Sequence, residues 1–198
     1  MLEDMIVLVA LAILLLALVW LLTRMVNALR LQRAWVRGWG ELAQQYGMRF
    51  NSGYTRCSVT GMYRGRIIQM LGTFRVGMAL QATTTNYASN TLVMKANPLS
   101  PSLRAPDDLA LFDRGFTYSS GSQEFLGALF LSRDLRKRLA PLARIPGLVI
   151  SLSGEELSLT TPRLYTQCAD LQGFLDGLSD LAAGIEDIRY AQAPSTSS

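Results

Sequence analysis

The sequence predicts an α+β protein in which an N-terminal transmembrane helix precedes one domain of antiparallel β-sheet packed with helices. Residues 5–22 form an unbroken apolar run without charge or proline. In the rest of the chain, short strands joined as hairpins occur between helical apolar stripes, with no regular βαβ rhythm. Removing the anchor leaves about 175 residues, enough for one domain with its own hydrophobic core.

The apolar run has the length of a membrane span. Its eighteen residues cover about 27 Å as a helix, close to the roughly 30 Å of a hydrocarbon core. Signal peptides begin with a basic segment and end at a small-residue cleavage site, whereas Glu3 and Asp4 precede this run and no such site follows it. We therefore expect a retained single-pass anchor over residues 1–24.

The flanks of the anchor predict its orientation. Arg24, Arg30, Arg33 and Arg37 follow the apolar run, and neither Lys nor Arg precedes it. Because positive residues are retained on the cytoplasmic side, we expect a cytoplasmic domain attached to the cell inner membrane. The two cysteines are isolated, without the spacing of a metal site or a disulfide framework, which fits a cytoplasmic location.

Residues 25–47 predict a juxtamembrane helix. Its apolar stripe recurs at helical spacing and comprises Leu31, Trp35, Trp39, Leu42 and Tyr46. The helix either continues from the anchor or bends at Gly38 and Gly40, and Gly47 suits its C-terminal cap. Trp20, Trp35 and Trp39 either mark an interfacial aromatic belt or, for the last two, pack against the domain.

Residues 48–190 form the predicted soluble α+β domain, which opens with a β meander. Four strands are predicted, over residues 57–63, 66–74, 77–85 and 90–96. The first two join at Arg64–Gly65, where glycine permits a tight hairpin. The meander ends in a linker with three prolines, residues 97–106.

The second part of the domain alternates strands and helices. The predicted elements are a strand over residues 116–120, helices over 123–130 and 133–142 with Ser122 and Ser132 as N-caps, and a hairpin of residues 147–153 and 156–161. Thr161–Pro162 predicts the start of a last helix, because proline suits the first helical position. The apolar face of this helix comprises Leu171, Phe174, Leu178, Leu181, Ile185 and Ile188. Residues 191–198 are expected to be disordered.

The sequence lacks the groups on which most catalysis depends. It contains no histidine, which removes the commonest general base and metal ligand. Gly38–Ala43 matches a dinucleotide-binding pattern, but a helix rather than a strand precedes it. The carboxylate pairs Asp107/Asp108 and Glu155/Glu156 fall in a predicted loop and turn, where we interpret them as solvated. We therefore expect no catalytic residues, no cofactor and no metal.

Charge is distributed unevenly along the chain. Nine arginines lie between Arg24 and Arg75 against the single acid Glu41, whereas residues 167–187 hold five acids and no base. Anionic lipid attracts each surface Lys or Arg by about 1 kcal/mol. The candidate membrane contacts are Arg24, Arg30, Arg33, Arg37, Arg64 and Arg66, with Trp20, Trp35 and Trp39 as interfacial aromatics. No RNA- or DNA-binding motif accompanies the basic half, so nucleic acid is not expected as a partner.

Four segments in a fixed order carry a family resemblance. They are residues 39–50 (WGELAQQYGMRF), 61–66 (GMYRGR), 112–116 (FDRGF) and 135–139 (LRKRL). Together they resemble bacterial single-pass membrane-anchored domains of unknown function in the DUF3137-like neighbourhood, over most of residues 39–188. Related proteins often have a Gly-Asp step before the third segment, where this chain has DDLALF at residues 107–112. The resemblance implies the architecture and brings no catalytic residues.

These observations favour a non-catalytic interaction module on the cytoplasmic face, serving as an accessory subunit of a membrane protein complex. Its expected partners are the lipid bilayer and one or more membrane proteins. The alternative is a membrane-tethered enzyme that uses carboxylate, Arg or Tyr groups, with at least two of Asp107, Asp113, Glu155 and Tyr118 gathered in one pocket. A third hypothesis, an envelope component with the domain outside, requires the opposite orientation.

Overall fold

The anchor and the juxtamembrane segment form one helix, α1, Leu2–Gln45. The computed structural model describes residues 2–53, 55–73, 76–84, 90–97 and 108–192. Within α1 the helix is uninterrupted at Gly38 and Gly40, so the continuous alternative is the correct one. Gly47 follows the helix with a φ of +62°, the left-handed conformation expected of a C-terminal cap.

The strands are β1 (Arg49–Ser52), β2 (Arg56–Tyr63), β3 (Arg66–Thr73), β4 (Gly77–Thr83), β5 (Leu92–Ala96), β6 (Phe116–Ser120), β7 (Val149–Ser153) and β8 (Glu156–Thr161). The later helices are α2 (Asp108–Gly115), α3 (Gln123–Leu131), α4 (Arg133–Leu139) and α5 (Cys168–Gln192). The two serine caps are confirmed, because Ser122 and Ser132 accept hydrogen bonds from the backbone N–H groups of Phe125 and Leu135, each at 3.2 Å. A 3₁₀ turn, Ala140–Arg144, continues α4.

The eight described strands form one antiparallel sheet in the order β1-β2-β3-β4-β8-β7-β5-β6. The meander from β2 to β4 is confirmed, but the prediction that β5 follows as its fourth strand is wrong. The β7–β8 hairpin lies between β4 and β5, and β8 pairs with β4 from Met78↔Thr161 to Thr83↔Glu156. Alternating hydrophobicity indicates that a segment is a strand, but not which strand lies beside it.

Each strand turns alternate side chains to one buried face of the sheet, here called the inner face. Its buried side chains include Val59, Ile68, Met70, Leu80, Leu92, Met94, Ile150, Leu152, Leu157 and Leu159. Helix α1 packs against β1 and β2, and α5 packs against β4 and β8. The core therefore lies between the inner face and a layer of helices. Two elements were not predicted from the sequence, the short strand β1 and helix α2.

The last helix begins later than predicted. Residues 162–167 form an irregular segment, and α5 starts at Cys168. This segment passes against α1, where a Cβ added to Gly38 would lie 1.7 Å from the carbonyl oxygen of Thr166. Five of the six predicted face residues of α5 are buried and Ile188 is half-buried. The helix extends to Gln192, so disorder at residues 191 and 192 was wrongly predicted, and residues 193–198 lie outside the described part.

The sheet has an end near the anchor and an end far from it. Strand β2 runs in the same general direction as α1. Its first residues lie near Trp39, because Gly72, the partner of Cys57, contacts the Trp39 ring. Its last residue, Tyr63, lies against Tyr46, just after the end of α1. The β2–β3 turn is therefore at the far end. The β3–β4 turn and the residues after β8 lie at the anchor-side end. Residues 86–89 and 98–106 of the predicted turn and linker lie outside the described part.

Candidate interaction surfaces

Helix α1 exposes apolar side chains between Leu11 and Leu31 that the domain does not cover. The exposed large residues are Leu11, Ile13, Leu14, Leu15, Leu16, Leu18, Val19, Trp20, Leu21, Leu22, Met25, Val26, Leu29 and Leu31. Among the described residues, one helix is long and apolar enough to cross a membrane. An apolar surface of this extent needs a cover, either lipid or protein.

The arginines that follow the apolar run differ in position. Arg30, Arg33 and Arg37 are exposed on the side of α1 opposite Trp35 and Trp39, about 180° around the helix at 100° per residue. They therefore face away from the domain. Within the described residues, Arg37 has a long ion pair with Glu41 at 3.8 Å between exposed side chains, which contributes little stability.

Arg24 lies on a different side of α1 from Arg30, Arg33 and Arg37. Its guanidinium lies 4.6 Å from the ring centroid of Trp20, in cation–π geometry. A helix rise of 1.5 Å places Arg24 about 3 Å and Arg30 about 12 Å beyond Leu22. The headgroup layer is roughly 5–8 Å thick on each side of the hydrocarbon core. If the apolar run spans the core, a long side chain reaches that layer from Arg24 and Arg30, whereas Arg33 and Arg37 lie beyond it.

The three tryptophans separate into two environments. Trp20 is 58% exposed, so its ring is free to contact lipid as an interfacial aromatic would. Trp35 and Trp39 are 1% and 0% exposed and meet edge to face with ring centroids 6.3 Å apart. Of the two interpretations left open for them, packing against the domain is correct. The membrane-belt interpretation now applies to Trp20 alone.

Arg64 and Arg66 lie at the far end of the sheet and pair with α5. The Arg64 guanidinium lies 2.7 Å from Asp176 and 3.1 Å from Asp180, and Arg66, 14% exposed, contacts Glu186. Tyr46, at the level of this turn, lies about 36 Å along α1 from Leu22. The two arginines therefore lie at the end of the sheet far from the apolar run of α1. They attach the β2–β3 hairpin to α5.

Tyr63 completes this ion-pair cluster. Its hydroxyl donates to Asp176 Oδ1 at 2.6 Å. Burial, followed by the hydrogen bond and negative charge of Asp176, raises the pKa of Tyr63 above its ordinary value of 10.0, against a smaller opposing effect of Arg64. Tyr63 is therefore a neutral donor at physiological pH. The acidic residues of α5 and the arginines near residue 65 have opposite charges. This charge pattern is the sequence signal that could have predicted the pairing of the β2–β3 hairpin with α5.

The side chains proposed for the enzyme alternative lie on separate elements. Asp113, in α2, pairs with Arg136 at 3.3 Å. Tyr118, on β6, packs against Phe130. Glu155 lies in the β7–β8 turn, after the last residue of β7, whereas α2 lies near the first residue of β7. Asp107 lies outside the described residues, which contain no cluster of three His, Cys, Asp or Glu groups placed to hold a metal.

The second face of the sheet, here called the outer face, has no helix packed on it in the described part of the chain. Its central side chains are Ser58, Thr60, Met62, Ile67, Gln69, Leu71, Ala79, Gln81, Thr83, Val93, Ser119, Val149, Ser151, Ser158 and Thr160. Charged groups on this face are, among described residues, Lys95 and Glu156, Glu155 in the adjoining β7–β8 turn, and Arg49 and Arg56 near the β1 edge.

Large apolar side chains lie on one part of the outer face. Met62 is 65% and Ile67 64% exposed, and the two are directly opposite each other across β2 and β3. Leu71 is the second outward residue after Ile67 on β3. Two shallow depressions of about 440 and 380 Å³ indent the face, the first lined by Leu71, Val76 and Pro162 among others.

Comparison with known proteins places the fold. No family model matches the chain, and no curated protein sequence does so. Among solved structures, the fold is similar to the crystal structure of the mycobacterial trehalose monomycolate transport factor A, TtfA, with a TM-score of 0.54 and 12% identity. The match covers 77% of this chain and 95% of that chain. At this identity the likeness establishes a shared fold.

Proposed function

We propose that the protein is a membrane-anchored, non-catalytic accessory module, with its domain on the cytoplasmic face of the inner membrane. The observation that carries the proposal is the continuity of α1. Between Leu11 and Leu31 it exposes apolar residues suited to lipid, and its later part contributes Trp35, Trp39 and Leu42 to the core of the domain. The anchor and the core are thus parts of one helix.

This continuity suits a module that holds a surface at a set distance from the bilayer. The first buried core residue, Trp35, lies about 20 Å along the helix from Leu22. A flexible linker would let the domain move freely, whereas a helix fixes both its height and its rotation relative to the span. A domain held in this way can present one surface to a neighbouring membrane protein.

The polar groups support a role in binding more than in catalysis. The charged cluster around Tyr63 and Arg64 has its charges paired between the β2–β3 hairpin and α5. The chain has no histidine. The likeness to a mycobacterial transport factor is compatible with an accessory role at a membrane. We also propose membership of the DUF3137-like neighbourhood, on the order of the four sequence segments described above.

Lipid contact, in this proposal, comes from the anchor and from Arg24 and Arg30, the basic residues within reach of headgroups. Orientation is tested by fusing alkaline phosphatase, active only outside the membrane, to the C-terminus. We expect an inactive fusion in intact cells and a cytoplasmic reporter, such as green fluorescent protein, to be fluorescent at the same position. An active phosphatase fusion would replace the proposal with the hypothesis of an envelope component.

The accessory role is tested by purifying the full chain in mild detergent and measuring co-purifying membrane proteins by quantitative mass spectrometry. Two insertions between Arg30 and Leu31 provide a matched comparison. A flexible seven-residue Gly/Ser segment breaks the helix, whereas seven helix-forming residues extend it by about two turns and nearly preserve its rotation. We expect the flexible insertion to release the partner more strongly. Recovery of no membrane protein above the level seen with an unrelated anchored domain would contradict the role.

A further inference from the structure

The composition of the outer face is unusual for a surface in water. Antiparallel sheets commonly leave one face solvated, and such faces usually carry Lys, Glu and Arg. Across the six strands from β2 to β5 in sheet order, the charged side chains on the outer face are, among described residues, Arg56, Lys95 and Glu156. The centre holds small, uncharged side chains and the exposed Ile67 and Leu71. Core surfaces of interfaces are likewise depleted in charge.

The dimensions of the outer face match those of a stable interface. Eight strands spaced about 4.8 Å apart, with strands about 20 Å long, present roughly 700 Å². Two such faces in contact would bury roughly 1,400 Å², within the range of specific protein–protein interfaces. Sheets pack face to face at about 10 Å with nearly aligned strands, and small side chains permit that spacing.

The direction of the anchor limits which occupant fits. With the anchor in the bilayer, as in the proposed function, β2 runs away from the membrane together with α1. A two-fold axis along the membrane normal then brings two outer faces together while both anchors enter the same bilayer. Each residue then lies at the same height as its counterpart, so Ile67 and Leu71 of one copy lie level with those of the other. The centre of the face carries no charge, and Glu156 at the far end of β8 is the charged side chain that lies nearest to such an axis.

The apolar side of a neighbouring α1 does not fit the same place. Its exposed residues Met25, Val26 and Leu29 lie within about 10 Å of Leu22 along the helix, whereas the sheet begins near the level of Trp39, which lies against Gly72, about 26 Å away. In one bilayer these surfaces are at different heights. The area, the scarcity of charge and the symmetry of the anchors together indicate a second copy of the same domain as the partner.

We propose that two copies of this chain pair through their outer faces, sheet against sheet, around a two-fold axis along the membrane normal. The two α1 helices lie on the outside of this pair. Two sheets about 10 Å apart, each backed by a helix about 10 Å thick, separate the helix axes by about 30 Å. The anchors therefore do not touch, and the pairing belongs to the domains.

Cross-linking of the full chain in membranes tests the geometry. In a Cys168→Ser background, in which the remaining Cys57 is buried, single cysteines replace Gln69 or Ser158 on the outer face. Lys137→Cys, on exposed α4, and Leu18→Cys, in the anchor, serve as controls. A bismaleimide of about 10 Å reach is expected to give covalent dimers at Gln69 or Ser158 and none at the controls. Absence of dimers at both outer positions, or equal yields at Lys137, would overturn the proposal.

A charge substitution tests the same face in detergent solution. Ile67→Glu places an unpaired charge within the interface, and Leu131→Glu places one on α3, where Leu131 is 82% exposed. Light scattering should give a twofold lower protein mass for Ile67→Glu than for wild type and Leu131→Glu, with all three equally folded by circular dichroism. A monomeric wild type, or cross-links from Gln69 only to a different protein, would overturn the pairing. The orientation test of the proposed function would be unaffected by either result.

Discussion

The indole Nε1 of Trp39 donates a hydrogen bond to the backbone carbonyl oxygen of Tyr165, 2.9 Å away and 126 positions later in the chain. This bond joins the helix that carries the anchor to the segment that leads into α5. Trp39 is fully buried, and the Tyr165 ring packs against Phe174 at 4.9 Å between centroids. The domain therefore closes around α1, and its stability depends on the same helix that carries the exposed apolar run.

Replacing Trp39 should destabilise the whole domain. Trp39→Ala leaves a large cavity and an unpaired carbonyl, so we expect a loss of about 3–5 kcal/mol in the free energy of unfolding. Trp20→Ala is the control, because Trp20 lies outside the domain and should change that free energy by less than about 0.5 kcal/mol. Denaturant unfolding in detergent, followed by circular dichroism, measures both. Equal effects of the two substitutions would show that α1 is peripheral to the core.

Gly38 should tolerate no side chain, because α1 and the segment before α5 meet there. A Cβ at Gly38 would lie 1.7 Å from the Thr166 carbonyl oxygen, whereas one at Gly173 on α5 meets nothing within 4 Å. Gly38→Ala should lower stability by about 1–3 kcal/mol. Gly173→Ala should raise it by up to about 1 kcal/mol through helix propensity. A stable Gly38→Ala variant in thermal unfolding would mean that the segment moves away freely.

The Arg66–Glu186 pair should contribute to stability, whereas the Arg37–Glu41 pair should not. The first pair has side chains 14% and 28% exposed, and the second 82% and 58%. Arg66→Met removes the Arg66 guanidinium from beside the partly buried Glu186 carboxylate, so we expect a loss of about 1–3 kcal/mol, reduced from the fully buried case by solvent. Arg37→Met should change stability by less than about 0.5 kcal/mol. Adding Glu186→Leu to Arg66→Met should restore part of the loss in the same unfolding assay.

The domain should lose stability in alkaline solution. Burial raises the pKa of Cys57 from 9.0 to about 11, and the pKa of Tyr63 is also raised. A group whose pKa is higher in the folded than in the unfolded state contributes stability below the unfolded value and loses it as pH rises toward the folded value. Unfolding midpoints should therefore fall between pH 9 and 11. Cys57→Ala should reduce the dependence of the unfolding midpoint on pH in this range. An unchanged dependence would show that other groups cause the loss of stability.

Local sequence patterns determined the kinds of elements. The apolar run predicted the helix that contains Leu22, the serine caps fixed the starts of α3 and α4, and the 3.6-residue period identified the buried face of α5 from Leu171 to Ile185. Glycine at residue 65 marked the β2–β3 turn. These signals succeed because capping, turn geometry and burial periodicity depend on residues within a few positions of one another.

Only the tertiary structure decided which elements are neighbours. Nothing local to β4 indicates that β8 rather than β5 pairs with it, because strand pairing depends on contacts distant in sequence. Arg66 was placed at the membrane by the charge of its segment. The fold instead turned its side chain to the inner face and brought Glu186 to it across 120 positions. The Thr161–Pro162 signal suited a helix start, but the approach of Thr166 to Gly38 requires an irregular segment there and delays α5 to Cys168.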